Sequence, residues 1–159
     1  RLRGVHEHIA AKMADAGISL LAQHVDAMDT GTLVDIFRAE PDSCLLGTDA
    51  VRDGVDVPGR SLRLIIFDRV PWPRPDILHR ARKAAFGGAA YDDRIARLRL
   101  KQAFGRLVRQ GTDRGVFVML DSRTPTRLTT AFPKGVEIQR TGIKDAIAGV
   151  AAFLGKSQD

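Results

Sequence analysis

Four short apolar runs alternate with segments of helical period, and this alternation limits the chain more than any other feature. The runs are "ISLLAQ", "SCLLGT", "LRLIIFDRV" and "GVFVMLDSR". Runs so short and apolar suit strands buried on both faces, and parallel strands need a crossover between them. The intervening segments supply it. "RLRGVHEHIAAKMADAG" places Val5, Ile9 and Met13 at helical spacing, with Gly17 as its C-cap. "DTGTLVDIFRAE", "DILHRARKAAF" and "YDDRIARLRLKQAFGRLVRQ" are helical as well, the last two separated by "GGAA". "KDAIAGVAAFL" is a closing apolar helix, and "GVEIQR" is a candidate fifth strand. The expectation is an α/β domain with a largely parallel central sheet and helices on both faces. At 159 residues, 44% of them apolar, the chain fits one domain with a proper core.

Composition narrows the partners. Lys and Arg number 25 against 19 Asp and Glu, a net charge of +6, which favours contact with polyanions. No apolar run approaches the length of a membrane span, so no membrane partner is expected. The single cysteine, Cys44, sits in a strand-like run and reads as an inert core thiol in a reducing, cytoplasmic setting. His6 and His8 fall on different sides of a helix, while His24 and His79 lack partners at ligand spacing, so no metal site is expected. Gly155-Lys156-Ser157 imitates the tail of a phosphate-binding loop, but the glycine spacing is wrong and no helix follows. "PWPRP" can be neither helix nor central strand, and Trp72 within it suits a loop anchor, a base-stacking surface or a partner contact.

Two segments carry chemistry. "LLGTDAVRDGVDVPG" follows the second apolar run, where α/β folds gather function. Gly47, Gly54 and Gly59 make it tight, Thr48 offers a hydroxyl and an N–H to phosphate, and Asp53 and Asp56 are acceptors. A solvated turn is the plain alternative. In "LKQAFGRLVRQGTDRG", Gln102, Arg106 and Arg109 stand at i, i+4 and i+7. On one helix they would share an arc of about 60°, opposite a core face of Leu100, Ala103, Phe104, Leu107 and Val108. Guanidiniums converging there suit a polyphosphate. Gly105 would let a neighbouring backbone or ligand approach.

Together, "GTDAVRDGVDVPG" and "QAFGRLVR" resemble motifs V and VI of superfamily 2 helicases, and more narrowly the DinG/XPD branch of DNA helicases. "LRLIIFDRV" running into "PWPRP", and "GVFVMLDSR" after motif VI, keep the branch's order from Gln23 to Arg123. The resemblance implies a RecA-like fold of the P-loop NTPase type. Residues 1–159 would be a single domain, the second motor lobe of an enzyme that hydrolyses ATP with Mg²⁺. That enzyme would move 5′ to 3′ along single-stranded DNA in repair or replication. It implies that Arg106 and Arg109 reach ATP held by the first lobe, with Gln102, Gly54 and Asp56 on the nucleotide side. Thr48 would touch the DNA backbone, Arg52 of this chain could bind phosphate in place of a bulky family residue, and Gln23 matches a family glutamine.

The chain departs from the pattern at Val51, Arg52 and Asp53, where members often carry aromatics and a glutamate. The phosphate-binding loop, the acidic Mg²⁺ box and the cysteines of an iron–sulfur cluster belong to the other lobe of such enzymes. The chain therefore reads as a fragment that starts after the motif IV strand. Alone, it is expected not to hydrolyse ATP. The rival reading is a non-enzymatic module that binds nucleic acid or protein on a degenerate motor fold.

Overall fold

The computed structural model of the chain describes residues 2–48, 51, 57, 61–108 and 113–155. They form two compact units, Arg1–Leu62 and Arg63–Asp159.

In the first unit, α1 (Leu2–Asp15) leads into β1 (Ser19–Ala22), then α2 (Thr30–Ala39) and β2 (Ser43–Leu46). Gly17 ends α1 in a left-handed conformation (φ 71°). Its N–H bonds to the Ala14 carbonyl, and the Ile18 N–H reaches back to Met13. This double closure is a Schellman motif, so the expected glycine cap is present. Asp29 caps α2, its carboxylate accepting from the Gly31 and Thr32 N–H groups. β1 and β2 pair in parallel, Ser19 opposite Ser43 through Ala22 opposite Leu46. Leu21, Leu33, Val34, Phe37, Val51 and Val57 form the core of this unit.

The second unit contains β3 (Leu64–Phe67), α3 (Ile77–Ala85), α4 (Ala89–Leu107) and β4 (Val116–Met119). A 3₁₀ turn (Thr126–Ala131) and α5 (Ile143–Leu154) come after them. β3 and β4 are again parallel, Leu64 opposite Val116. The core is Val70, Ala96, Leu100, Leu128 and Ala131, bordered by Phe67, Phe117 and Met119. The parallel α/β organisation thus stands, its described strands paired two by two.

Three local expectations change. "GVEIQR" is irregular rather than a strand, with Ile138 half exposed. Its backbone has no ladder partner among the described residues, and Val136 instead closes a turn onto Pro133. "GGAA" separates helices only through its glycines. Gly87 and Gly88 both have positive φ, and α4 starts at Ala89. Cys44 lies in β2 as expected but is half-buried rather than in the core, and this burial raises its thiol pKa. No helix of the described residues is long and apolar enough to cross a membrane.

Candidate functional site

The chain's charge is divided unequally between the units. Arg1–Leu62 has six Lys and Arg against ten Asp and Glu, a net −4; Arg63–Asp159 has nineteen against nine, a net +10. Each candidate site therefore sits in its own electrostatic setting.

In the acidic unit the carboxyl ends of β1 and β2 are tied together at one side chain. Gln23 follows β1 and is only 3% exposed. Its backbone N–H continues the ladder to the Leu46 carbonyl at 2.9 Å. Its Oε1 accepts from the Thr48 N–H at 2.9 Å and from Thr48 Oγ1 at 2.8 Å, while Nε2 donates to Thr30 Oγ1 at 3.1 Å. A buried amide whose oxygen is bonded twice in this way joins three elements: β1, the first residue of α2 and the loop after β2. Next to it, His24 takes a left-handed φ of 65°, uncommon for a residue with a Cβ. Asp26 closes this turn, its carboxylate accepting from the Ala22 N–H at 2.7 Å. On the loop itself, Gly47 has no room for a side chain, because a Cβ there would lie 2.4 Å from Val51 Cβ. Val51 is buried in the core, so the departure from family aromatics at this position is an apolar contact inside the unit.

In the basic unit, α4 carries the second set. Leu100, Ala103 and Leu107 are buried, as their spacing requires, with Phe104 and Val108 partly so. Gln102 is exposed and Arg106 half-buried, about 40° apart around the helix. The helix stops sooner than its sequence suggests. Val108 is extended (φ −130°, ψ 105°), so the expected run of one helix through Arg109 is broken. β4 begins at Val116, and Gly115 is so close to Leu107 that a Cβ would meet its Cδ1 at 2.5 Å. At Gly105 the opposite holds, since a Cβ would meet nothing within 4 Å. Whatever that glycine admits is not another described part of this chain. Arg109, Arg52, Gly54 and Asp56 lie outside the described residues, as do Asp53 and Gly59.

Other arginines of this unit are structural. Arg99 on α4 donates to the Pro71 and Trp72 carbonyls at 3.1 and 3.0 Å, pinning the proline segment. The anchor is thus the Trp72 backbone, and the residue stays 39% exposed. Arg127 makes a two-pronged bond to Asp93, and Arg140 holds the Thr124 carbonyl and Thr126 Oγ1. A hydrogen bond from Arg127 is the main reason the Asp93 pKa falls. Lys83 on α3 bonds Asp92 on α4 and is the main cause of that carboxyl's lowered pKa. His79 Nε2 lies 2.8 Å from Asp92 Oδ1, an oxygen with no other partner among the described residues, so a proton on Nε2 would satisfy it. Among the described residues, no group of His, Cys, Asp and Glu is arranged to hold a metal ion.

Comparison with known proteins decides the family. The helicase C-terminal domain family matches residues 1–138, most of the chain. The chain belongs to that family. Its parallel α/β organisation is the RecA-like fold of this helicase domain. The relatives place it among the DinG-like members. It is 48% identical over 104 residues to the ATP-dependent helicase DinG of Mycobacterium tuberculosis (strain ATCC 25618 / H37Rv), covering 61% of this chain and 16% of that protein. It is 36% identical over 133 residues to the ATP-dependent DNA helicase YoaA of Haemophilus influenzae, covering 79% of this chain and 20% of the relative. The 3′-5′ exonuclease DinG of Bacillus subtilis is 33% identical over 134 residues, 79% of this chain and 14% of that protein. This helicase domain therefore spans no more than a fifth of these three relatives.

Gln23 is the buried polar centre of the acidic unit, although the sequence marks it only by its match to a family glutamine. The available signal was its place: an amide where an apolar run meets a loop, in a fold whose strand ends gather function.

Proposed function

We propose that residues 1–159 form the C-terminal motor lobe of an ATP-dependent DNA helicase. In this reading Arg106 and Arg109 act on an ATP·Mg²⁺ that another lobe of the same protein binds. The supporting observation is Arg106 itself. It occupies the last turn of α4 on the motif VI pattern "QAFGRLVR", beside a glycine whose outer face is open. A guanidinium is permanently charged, planar and able to make two parallel bonds to phosphate oxygens. Phosphoryl transfer spreads charge over those oxygens, and a cation brought across the cleft neutralises it in the transition state. Gln102, on the same side of α4, would help orient the nucleotide, with Gly54 and Asp56 of motif V near it.

Thr48 and Arg52 would touch the backbone of single-stranded DNA. Motif V then joins the two ligands, since one short loop carries residues for both. Closure on ATP would complete the site, and hydrolysis would reopen it while the Thr48 region changes its grip. Movement 5′ to 3′ in DNA repair or replication is the expected setting. An iron–sulfur cluster, in members that carry one, would belong to the other lobe.

The test is DNA-stimulated ATP turnover by the full-length protein with Arg106→Ala and with Arg109→Ala. A loss of about a hundredfold or more in kcat with DNA binding retained is expected. Turnover equal to wild type in both variants would refute the arginine roles and favour a binding module that has kept a motor fold.

A further inference from the structure

We propose that the Gln23 amide oxygen is the resting occupant of an oxygen-binding position built by Thr48, and that a DNA backbone phosphate displaces it. This rests on the proposal that Thr48 touches DNA. The geometry carries the rest. Two donors of one residue, the Thr48 N–H and its hydroxyl, converge on a single acceptor at 2.9 and 2.8 Å. Backbone N–H groups and Thr hydroxyls are among the donors that hold phosphate oxygens in protein–DNA contacts. The atom in place must be Oε1, since the backbone N–H only donates and an amide NH₂ could not accept from it.

Protons decide between the two acceptors. A hydroxyl has one, and the Thr48 proton is committed to Gln23. A phosphodiester only accepts, so with Gln23 in place Thr48 shows it lone pairs alone. The internal bond and the DNA bond are mutually exclusive. A charged phosphate oxygen accepts more strongly than a neutral amide, which favours the exchange once DNA arrives.

The surroundings confine the exchange to a side-chain rotation. The Gln23 backbone is held in the ladder by Leu46, and the turn after it is closed by the Val25 and Asp26 N–H groups on the Ala22 carbonyl. Nε2 keeps Thr30 Oγ1 as a pivot on α2. Gln23 is thus a positioning residue that holds the empty grip in order and yields it to DNA.

The experiment measures binding of a fluorescent oligothymidylate to the full-length protein by anisotropy, at one salt concentration. Gln23→Met removes the competing oxygen, and binding should tighten about three- to tenfold, the scale of one to two neutral hydrogen bonds. Gln23→Glu keeps the bonds from Thr48 but makes the occupant anionic, and binding should weaken by a similar factor. Thr48→Ala should weaken binding, and adding Gln23→Met to it should restore nothing. Weaker binding by Gln23→Met with Gln23→Glu unchanged would overturn the exchange and leave a fixed scaffold. If Thr48→Ala binds like wild type, the DNA contact itself is wrong, which is a separate failure that removes the exchange with it. Should Gln23→Met not fold, Gln23→Glu decides alone: weaker binding supports the exchange, equal or tighter binding refutes it.

Discussion

The two units of this helicase domain differ in charge and in what their polar side chains are committed to. Arg1–Leu62 is net acidic, and its candidate DNA contact at Thr48 is a pair of neutral donors fixed by a buried amide. Arg63–Asp159 is strongly basic, yet several of its arginines are committed to carbonyls and carboxylates of its own fold. Arg74, Arg80 and Arg82 have no such partner among the described residues and are exposed. Bulk charge is therefore a poor guide to where this chain would grip a polyanion. The basic unit attracts at a distance, while in the acidic unit hydrogen-bond geometry must do the holding, because its net charge repels.

The largest structural contrast is expected at two glycines. Gly47→Ala drives a Cβ against the Cβ of β-branched Val51, whereas Gly115→Ala meets the end of the more adaptable Leu107. Gly47→Ala should cost about 1–3 kcal/mol as an overpacked site, and Gly115→Ala less, because Leu107 has a rotamer to yield. Chemical denaturation of the two variants compares them. Equal losses would mean that the Gly47 loop relaxes as easily as a side chain does.

A second contrast concerns acid. In the basic unit, the Asp92 pKa is held below its ordinary 3.8, chiefly by the Lys83 hydrogen bond. A lowered carboxyl contributes stability above its unfolded pKa and loses it as pH falls through the folded value. The tie between α3 and α4 should therefore weaken below about pH 4. Asp92→Asn should remove that part of the pH dependence. Hydrogen exchange in Ile77–Ala85 as a function of pH follows it, and an acid response unchanged in the variant would exclude Asp92 as its source.

The smallest effect separates attraction from grip. Neutralising Arg74, Arg80 and Arg82 together should flatten the salt dependence of single-stranded DNA binding. The log–log slope should fall by about 0.7 for every phosphate these arginines neutralise. Thr48→Ala should weaken binding with the slope unchanged. A reversed pattern would place the ionic contacts in the acidic unit.

Most elements were legible because they rest on local chemistry. Gly17 closes α1, and each four-residue strand lies inside an apolar run. What escaped depends on distant parts of the chain. "QAFGRLVRQ" keeps helical spacing past Leu107, yet the helix ends there, where Gly115 at the entrance to β4 lies against Leu107. "GVEIQR" alternates like a strand, but a strand exists only where a neighbour pairs with it. Gln23 reads as the polar exit of a strand, since its partners Thr30 and Thr48 are seven and twenty-five residues away. The candidate site was thus visible as two motifs, and the bond network that fixes one of them was not.

The separate roles of Arg106 and Thr48 are tested by pairing two readouts, kcat for ATP and Kd for single-stranded DNA, on Arg106→Ala and Thr48→Ala of the full-length protein. A crossed result is expected: Arg106→Ala loses turnover with DNA affinity kept, and Thr48→Ala loses affinity first. Parallel losses of both quantities in both variants would contradict it, because the two residues would then serve both ligands alike.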